Sequence, residues 1–219
     1  MAGSLFMEPR ATASTPAGQT ALRDVARATN LRRLTPLAAG AALGVANSAT
    51  NALGSAYGPF TATPGQGVRW LEYVSSWLGT PWAWALFAFG VGWFIRHLGA
   101  SALLATGGLV LAVLAYYVTD AALGLNEALS IPEIQLWSAI SVIIGPTMAV
   151  LGALARRPRL WALLPALAAP ALMVYFGLTR PSGNAQIMPW AQLAVLCGAG
   201  LLALTFTVRA IRLHRARTA

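Results

Sequence analysis

The chain has 219 residues, of which 57% are hydrophobic and only 10% are charged, and its mean hydropathy is +0.63. A water-soluble domain needs far more polar surface than this, so the composition excludes an ordinary soluble enzyme. The formal net charge of +9 is carried by 15 basic residues, all of them arginine. The single cysteine, Cys197, excludes a disulfide framework within the chain.

In chain order, a polar and basic arm over residues 1–33 comes first. Within it, Thr20 to Arg33 suit either a short basic helix on anionic lipid or a solvated tether. Six apolar segments follow, each near the ~20 residues that a membrane-spanning helix requires. They cover 34–53, 79–95, 98–118, 134–155, 160–178 and 189–208. The sequence therefore predicts an all-α, polytopic membrane helix bundle over 34–208 with about six transmembrane helices, followed by a basic tail over 209–219.

Small and polar residues form a stripe in the first of these segments. Gly40, Gly44, Asn47 and Asn51 recur at spacings of four, three and four, which places them on one helical face. Glycines on such a face allow two helices to approach closely, and the amides can form hydrogen bonds across the interface. The pattern predicts that this segment packs tightly inside a bundle.

The arginines predict the orientation of the bundle. If the N-terminus is cytoplasmic, thirteen arginines fall on the inner side and only Arg69 and Arg180 on the outer side. This is the distribution expected from the positive-inside rule, and it requires an even number of spans. We expect both termini to be cytoplasmic and the protein to lie in the cytoplasmic membrane.

That orientation gathers carboxylates and aromatic side chains at the outer side. Asp120, Glu72, Glu127 and Glu133 all fall there, together with six of the eight tryptophans. The long first outer loop includes a stretch from Trp70 to Trp77 with its apolar residues at helical spacing, which predicts a short interfacial helix. An aromatic belt explains many of these residues without any ligand, but a belt occupies both sides of a membrane and this one does not.

Asp120 is the strongest candidate for a functional carboxylate. It follows more than twenty uncharged residues, and Tyr116 lies one helical turn before it. If the helix continues past Val118, Asp120 lies in the mouth of the bundle, where ionisable groups are costly and often functional; otherwise it is a boundary residue. For Glu133, a role at a helix N-terminus is the alternative. The candidate catalytic residues are Asp120, Glu72 and Tyr116, and the candidate substrate-binding residues are Tyr117, Trp77, Trp82, Trp84, Trp137, Glu133, Asn47 and Asn51.

Several chemistries have no sequence support. His97 and His214 are isolated from each other, so no histidine-based metal site is predicted. There is no aspartate-rich pair for Mg²⁺ and no phosphate-binding glycine loop. The arginines lie at segment ends rather than on a soluble face, so nucleic acid is not an expected partner. We expect no metal and no cofactor; the expected partners are the lipid bilayer and a hydrophobic small molecule, and the oligomeric state is open.

Three segments, Thr80–Gly92, Leu114–Tyr117 and Leu136 to Pro146, resemble the core of an uncharacterised family of small bacterial multi-pass membrane proteins. This resemblance covers about 36–178 and implies a topology without an activity. In size and hydropathy alone, the chain is also similar to integral-membrane meroterpenoid (terpene) cyclases.

The acid and aromatic residues suit proton-initiated cyclisation of a prenylated, lipid-like substrate. Such a reaction needs a carboxylic acid that stays protonated, which burial favours, and aromatic faces that stabilise a migrating cation. On this hypothesis Asp120 is the proton donor, with tyrosine and tryptophan side chains as walls. The alternative is a non-enzymatic protein, either a carrier for small hydrophobic or cationic compounds or an accessory subunit.

Overall fold

The computed structural model describes the backbone of residues 16–54, 69–125, 129–179 and 188–218. The chain divides into two units, Met1–Thr35 and Pro36–Ala219, and the helix bundle belongs to the second. The first fifteen residues of the predicted polar arm, and Glu127, lie outside the described residues.

The described chain is helical throughout its regular elements and contains no strand, which confirms the all-α prediction. A 3-10 turn at Leu160–Ala162 leads directly into the sixth helix. The helices are α1 (Pro16–Gly54), α2 (Arg69–Leu78), α3 (Pro81–Phe94), α4 (Leu98–Ala122), α5 (Ile131–Ala155), α6 (Leu163–Thr179) and α7 (Met188–Thr218).

Four stretches of the described chain are long and apolar enough to cross a membrane, so the protein is a multi-pass membrane protein. They are Leu98–Ala122, Ile131–Ala155, Leu160–Thr179 and Pro189–Ala216. The predicted span 79–95 corresponds to α3, whose 14 residues extend for about 21 Å, less than the ~30 Å hydrocarbon core. The predicted span 34–53 lies in α1, where the polar stripe dilutes the apolar character.

Close approach between helix backbones organises the bundle. A Cβ atom at Gly40 would overlap the backbone of Gly108, and one at Gly44 would overlap the backbone of Ala112, so α1 lies directly on α4. The predicted tight packing of the first apolar segment is therefore confirmed. In the same way, Gly92 of α3 lies against the backbone of α5. Small residues let helices approach closely, and this contact favours association in lipid, where apolar burial does not.

Arg209 joins α7 to the end of α5, at the end of the bundle where most of the described arginines lie, which we call the arginine-rich end. The Arg209 guanidinium donates hydrogen bonds to the carbonyls of Ala155 (3.2 Å) and Arg156 (2.9 Å) at the end of α5. It also lies 4.6 Å from the ring centroid of Trp93, and Trp93 contacts Phe206 with ring centroids 5.4 Å apart. These carbonyls lie at the C-terminus of α5, where a positive charge also complements the helix dipole.

The short helix α2 confirms the prediction of a helix in the loop after the first apolar segment. Its first turn lies against the end of α1, because a Cβ atom at Gly54 would come 2.7 Å from the backbone nitrogen of Glu72. Leu71 is buried, while Trp70 is 63% exposed. At the other end of α2, the Trp84 indole N–H donates a hydrogen bond of 2.7 Å to the carbonyl of Leu78. The helix is therefore fixed between α1 and α3.

Two glycines of α3 provide a matched test of the close packing. A Cβ atom at Gly92 would overlap the backbone of Ala149, whereas one at Gly90 meets nothing within 4 Å. We expect Gly92→Ala to lower the free energy of unfolding by about 1–3 kcal/mol, because the α5 backbone must move. Gly90→Ala should be neutral or stabilising, since alanine favours a helix. Thermal unfolding of the two purified variants in detergent would measure this difference, and equal melting temperatures would contradict the contact.

Candidate functional site

Glu72, Asp120 and Glu133, the carboxylates of the described bundle, lie at one end of it, which we call the acidic end. There the polar stripe of α1 meets α4. The Ser48 hydroxyl donates a hydrogen bond of 2.5 Å to Oδ1 of Asp120. The Tyr116 hydroxyl forms hydrogen bonds with the side chains of both Asp120 and Asn51. Because α4 extends to Ala122, Asp120 is a helical residue rather than a loop residue, and it is only 4% exposed. A carboxyl group buried to this extent needs such partners.

Two further contacts link this network to α5 and α2. The Tyr117 hydroxyl forms a hydrogen bond with the side chain of Glu133, in the first turn of α5. The Ser75 hydroxyl of α2 lies 3.5 Å from Oδ1 of Asn51, at the limit of a hydrogen bond. The network therefore connects four helices at one end of the bundle.

A cavity of about 960 Å³ lies beside this network. Its volume is near the upper end of the range for small-molecule sites, and its walls come from α1 to α7. Aromatic side chains dominate the walls: Trp77, Trp82, Trp84, Trp137, Tyr116, Tyr117 and Phe176. The polar lining groups include Glu72, two asparagines, several hydroxyl groups and one glutamine.

Nine of the eleven candidate residues from the sequence line this one cavity. They are Glu72, Tyr116, Tyr117, Trp77, Trp82, Trp84, Trp137, Asn47 and Asn51. Asp120 and Glu133 do not line it. Asp120 forms a hydrogen bond with Tyr116, and the exposed Glu133 forms one with Tyr117. Each carboxyl group therefore contacts a tyrosine of the cavity wall.

Sequence reasoning did not select several polar residues of this region, among them Ser48, Ser141 and Gln192. Ser48, the hydrogen-bond partner of Asp120, lies four residues after Gly44, so the spacing of the α1 stripe could have identified it. Ser141 and Gln192 line the cavity. Gln192 is the first polar side chain in a long apolar run, which is a signal of the kind that marks intramembrane sites.

The cavity is partly open, and one of its walls reaches the outer surface of the bundle. Trp137, Ile140 and Ile144 of α5 line the cavity, yet they are 41%, 36% and 37% exposed. In a membrane, this exposed face of α5 contacts lipid. A hydrophobic molecule could therefore move between the bilayer and the cavity without crossing water.

The described ionisable groups near the cavity are acidic. Glu72 is on the wall, and Asp120 and Glu133 stand behind it; the arginines whose side chains are described belong to the opposite end. The indole N–H of Trp77 is buried and has no acceptor in the described part of the chain. No group of three or more potential metal ligands occurs among the described residues. The arrangement suits a neutral or cationic molecule with an apolar body.

Comparison with protein-family models, curated proteins and solved structures finds no match for this chain. The resemblances to an uncharacterised membrane family and to meroterpenoid cyclases therefore stay expectations.

Ser48 and Thr50 of α1 allow the network to be tested. Ser48 donates to Asp120 on α4, whereas Thr50 donates to the carbonyls of Ala46 and Asn47 in its own helix. We expect Ser48→Ala to lower the free energy of unfolding by about 1–3 kcal/mol, since a buried carboxyl group loses a hydrogen bond. Thr50→Ala should change it by less than about 0.5 kcal/mol. Thermal unfolding in detergent compares the two, and equal shifts would rule out a special role for the contact between helices.

Proposed function

We propose that this protein binds a prenylated, lipid-like molecule in the acid–aromatic cavity and cyclises it by proton transfer. The observation that carries the proposal is the cavity of about 960 Å³. Four tryptophans, two tyrosines and the carboxylic side chain of Glu72 line it together. Aromatic faces stabilise a nearby cation by about 0.5–2 kcal/mol each when water is excluded. A cation that moves along a polyene chain would meet such a face at each step.

The reaction conserves atoms. A carboxylic acid transfers its proton to a terminal alkene carbon, or to an epoxide oxygen whose C–O bond then opens. Neighbouring π bonds close in turn on the resulting cation, and the last cation loses a proton to a basic group. Substrate and product are isomers, and the acid is restored when that proton returns to it.

The geometry favours Glu72 over Asp120 as the direct proton donor. Glu72 lines the cavity, whereas Asp120 accepts a hydrogen bond from Ser48 and lies behind Tyr116. In this proposal Asp120 is a positioning residue that orients the Tyr116 hydroxyl. The tryptophans bind the apolar chain, and Asn47 and Asn51 contact the polar part of the substrate.

The proposed topology has about six spans and both termini in the cytoplasm. The four long candidate spans are supplemented by the apolar part of α1 and by α3, which lie beside α4 and α5. A helix that is shorter than the ~30 Å hydrocarbon core, such as α3, can complete a span where the bilayer thins locally. The positive-inside rule then directs the arginine-rich end to the cytoplasm and the cavity to the outer leaflet.

Substitutions at Glu72 test the donor. We expect Glu72→Gln to reduce product formation by about 10²–10⁴-fold, the usual effect of losing a general acid. Glu72→Asp keeps an acid in the cavity and should retain part of the activity. The measurement is chromatography with mass spectrometry of lipid extracts from cells with and without each variant. It searches for a pair of species of equal mass and different retention time. Full activity of Glu72→Gln at normal protein abundance would exclude this residue as the donor.

Asp120→Asn separates a positioning role from a donor role. If Asp120 acts through Tyr116, this variant should retain measurable cyclisation, and Tyr116→Phe should reduce product to a similar extent. The same extracts provide the measurement, with the melting temperature of each variant as the control for folding. Complete loss in a stably folded Asp120→Asn, with activity intact in Glu72→Gln, would return the donor role to Asp120.

A carrier for hydrophobic cations is the second candidate, favoured by the acidic groups and the opening along α5. A carboxylate with aromatic faces binds organic cations without any chemistry. Vesicles that contain the protein would then take up a cationic dye such as ethidium and release it unchanged. Cells with the protein would show no new isomer in their lipid extracts. Transport without chemical change would reject the cyclase.

A further inference from the structure

The arginine-rich end holds a second, separate pocket. Arg157, Arg159 and Arg209 line it together with an apolar floor that includes Ala162, Ala166 and Phe206. Its enclosed volume is about 10 Å³, which is room for one oxygen-sized group rather than for a whole molecule. An occupant would place one atom inside and the rest of its head over the rim.

The arginines of this pocket are partly pre-oriented by other contacts. Arg209 is held by the carbonyls of Ala155 and Arg156, so its position does not depend on a ligand. The guanidinium carbon of Arg157 lies 5.8 Å from the ring centroid of Trp161. Arg157 and Arg159 are both exposed. Two exposed cations therefore lie beside one that is held in place by hydrogen bonds.

No carboxylate among the described side chains lies at this end. Glu72, Asp120 and Glu133 belong to the opposite end, beside the acid–aromatic cavity. The three positive charges therefore favour an anion. A planar guanidinium donates paired hydrogen bonds that match phosphate oxygens, which makes a phosphate group the anion that three arginines recognise best.

The surface next to the pocket is apolar and exposed. Leu160, Trp161 and Leu164 are 51%, 41% and 76% exposed. On the neighbouring turns of α7, Val208 and Ile211 are 37% and 44% exposed. A phosphate at the pocket would therefore have hydrocarbon surface on both sides of it. A small ion from solution would not contact this apolar surface, whereas the acyl chains of a lipid would pack against it.

We propose that this pocket binds the phosphate of an anionic phospholipid, with one phosphate oxygen in the enclosed space and the acyl chains along α6 and α7. Basic pockets between transmembrane helices are known to bind the headgroups of acidic lipids. The site does not depend on the function of the acid–aromatic cavity, which lies at the other end of the helices.

The test uses the full chain, purified in detergent, and native mass spectrometry of retained lipid. The probes are phosphatidylglycerol and phosphatidylcholine with identical acyl chains, and inorganic phosphate. We expect phosphatidylglycerol to be retained in preference to phosphatidylcholine, and inorganic phosphate not to displace it. In the double variant Arg157→Gln, Arg159→Gln, the preference should fall by about 30-fold, the effect expected for two surface arginines.

The matched control is the double variant Arg96→Gln, Arg212→Gln. It removes the same charge from the same end, at exposed positions that do not line the pocket, and should retain the preference. If the two double variants lost the preference equally, the lipid would be held by a diffuse attraction between charges and not by a defined site. Equal retention of both lipids, or displacement by inorganic phosphate, would also overturn the proposal.

Discussion

The rest of the bundle depends on the contact of helix backbones at glycine. Gly44 lies against the α4 backbone, and Gly92 and Gly152 join the backbones of α3 and α5. In lipid the burial of apolar side chains contributes little to helix association, because the surrounding acyl chains are equally apolar. Close backbone contact, with its many weak attractions, therefore determines which helices pair. The α1–α4 pairing then brings the hydroxyl of Ser48 to Asp120, so the polar network follows from the glycines.

The same constraint accounts for the cavity at one end. Toward the arginine-rich end, small residues such as Gly92, Ala149 and Gly152 allow close packing. Toward the acidic end, the facing positions hold bulky rings, among them Trp82, Trp137 and Tyr116. These rings line a cavity of about 960 Å³, to which all seven helices contribute residues. At the acidic end, aromatic residues and open space therefore occur together.

The helical class, the α2 helix and nine of the residues that line the cavity could be predicted from the sequence, because each has a local signature. The spacing of the α1 stripe placed Asn51 on the face that meets α4. The excess of tryptophan on one side of the membrane predicted the residues that form the cavity wall. The depth of Asp120 was not predictable, since it depends on where α4 ends and on which side of Tyr116 the cavity opens. The apolar segment predicted at 79–95 corresponds closely to α3, but its 14 residues are fewer than the ~20 that a span usually requires. Span number therefore stays a prediction beyond the four long candidates.

The position of Asp120 bears on what the polar network does. The buried carboxyl group of Asp120 accepts hydrogen bonds from Ser48 and Tyr116. It is well suited to fix the phenol ring of Tyr116, which also contacts Asn51 and forms part of the wall. Intramembrane carboxylates are expensive to bury, so their presence argues for a function. Asp120 supports Tyr116 in the wall of the cavity, whereas Glu72 itself lines the cavity.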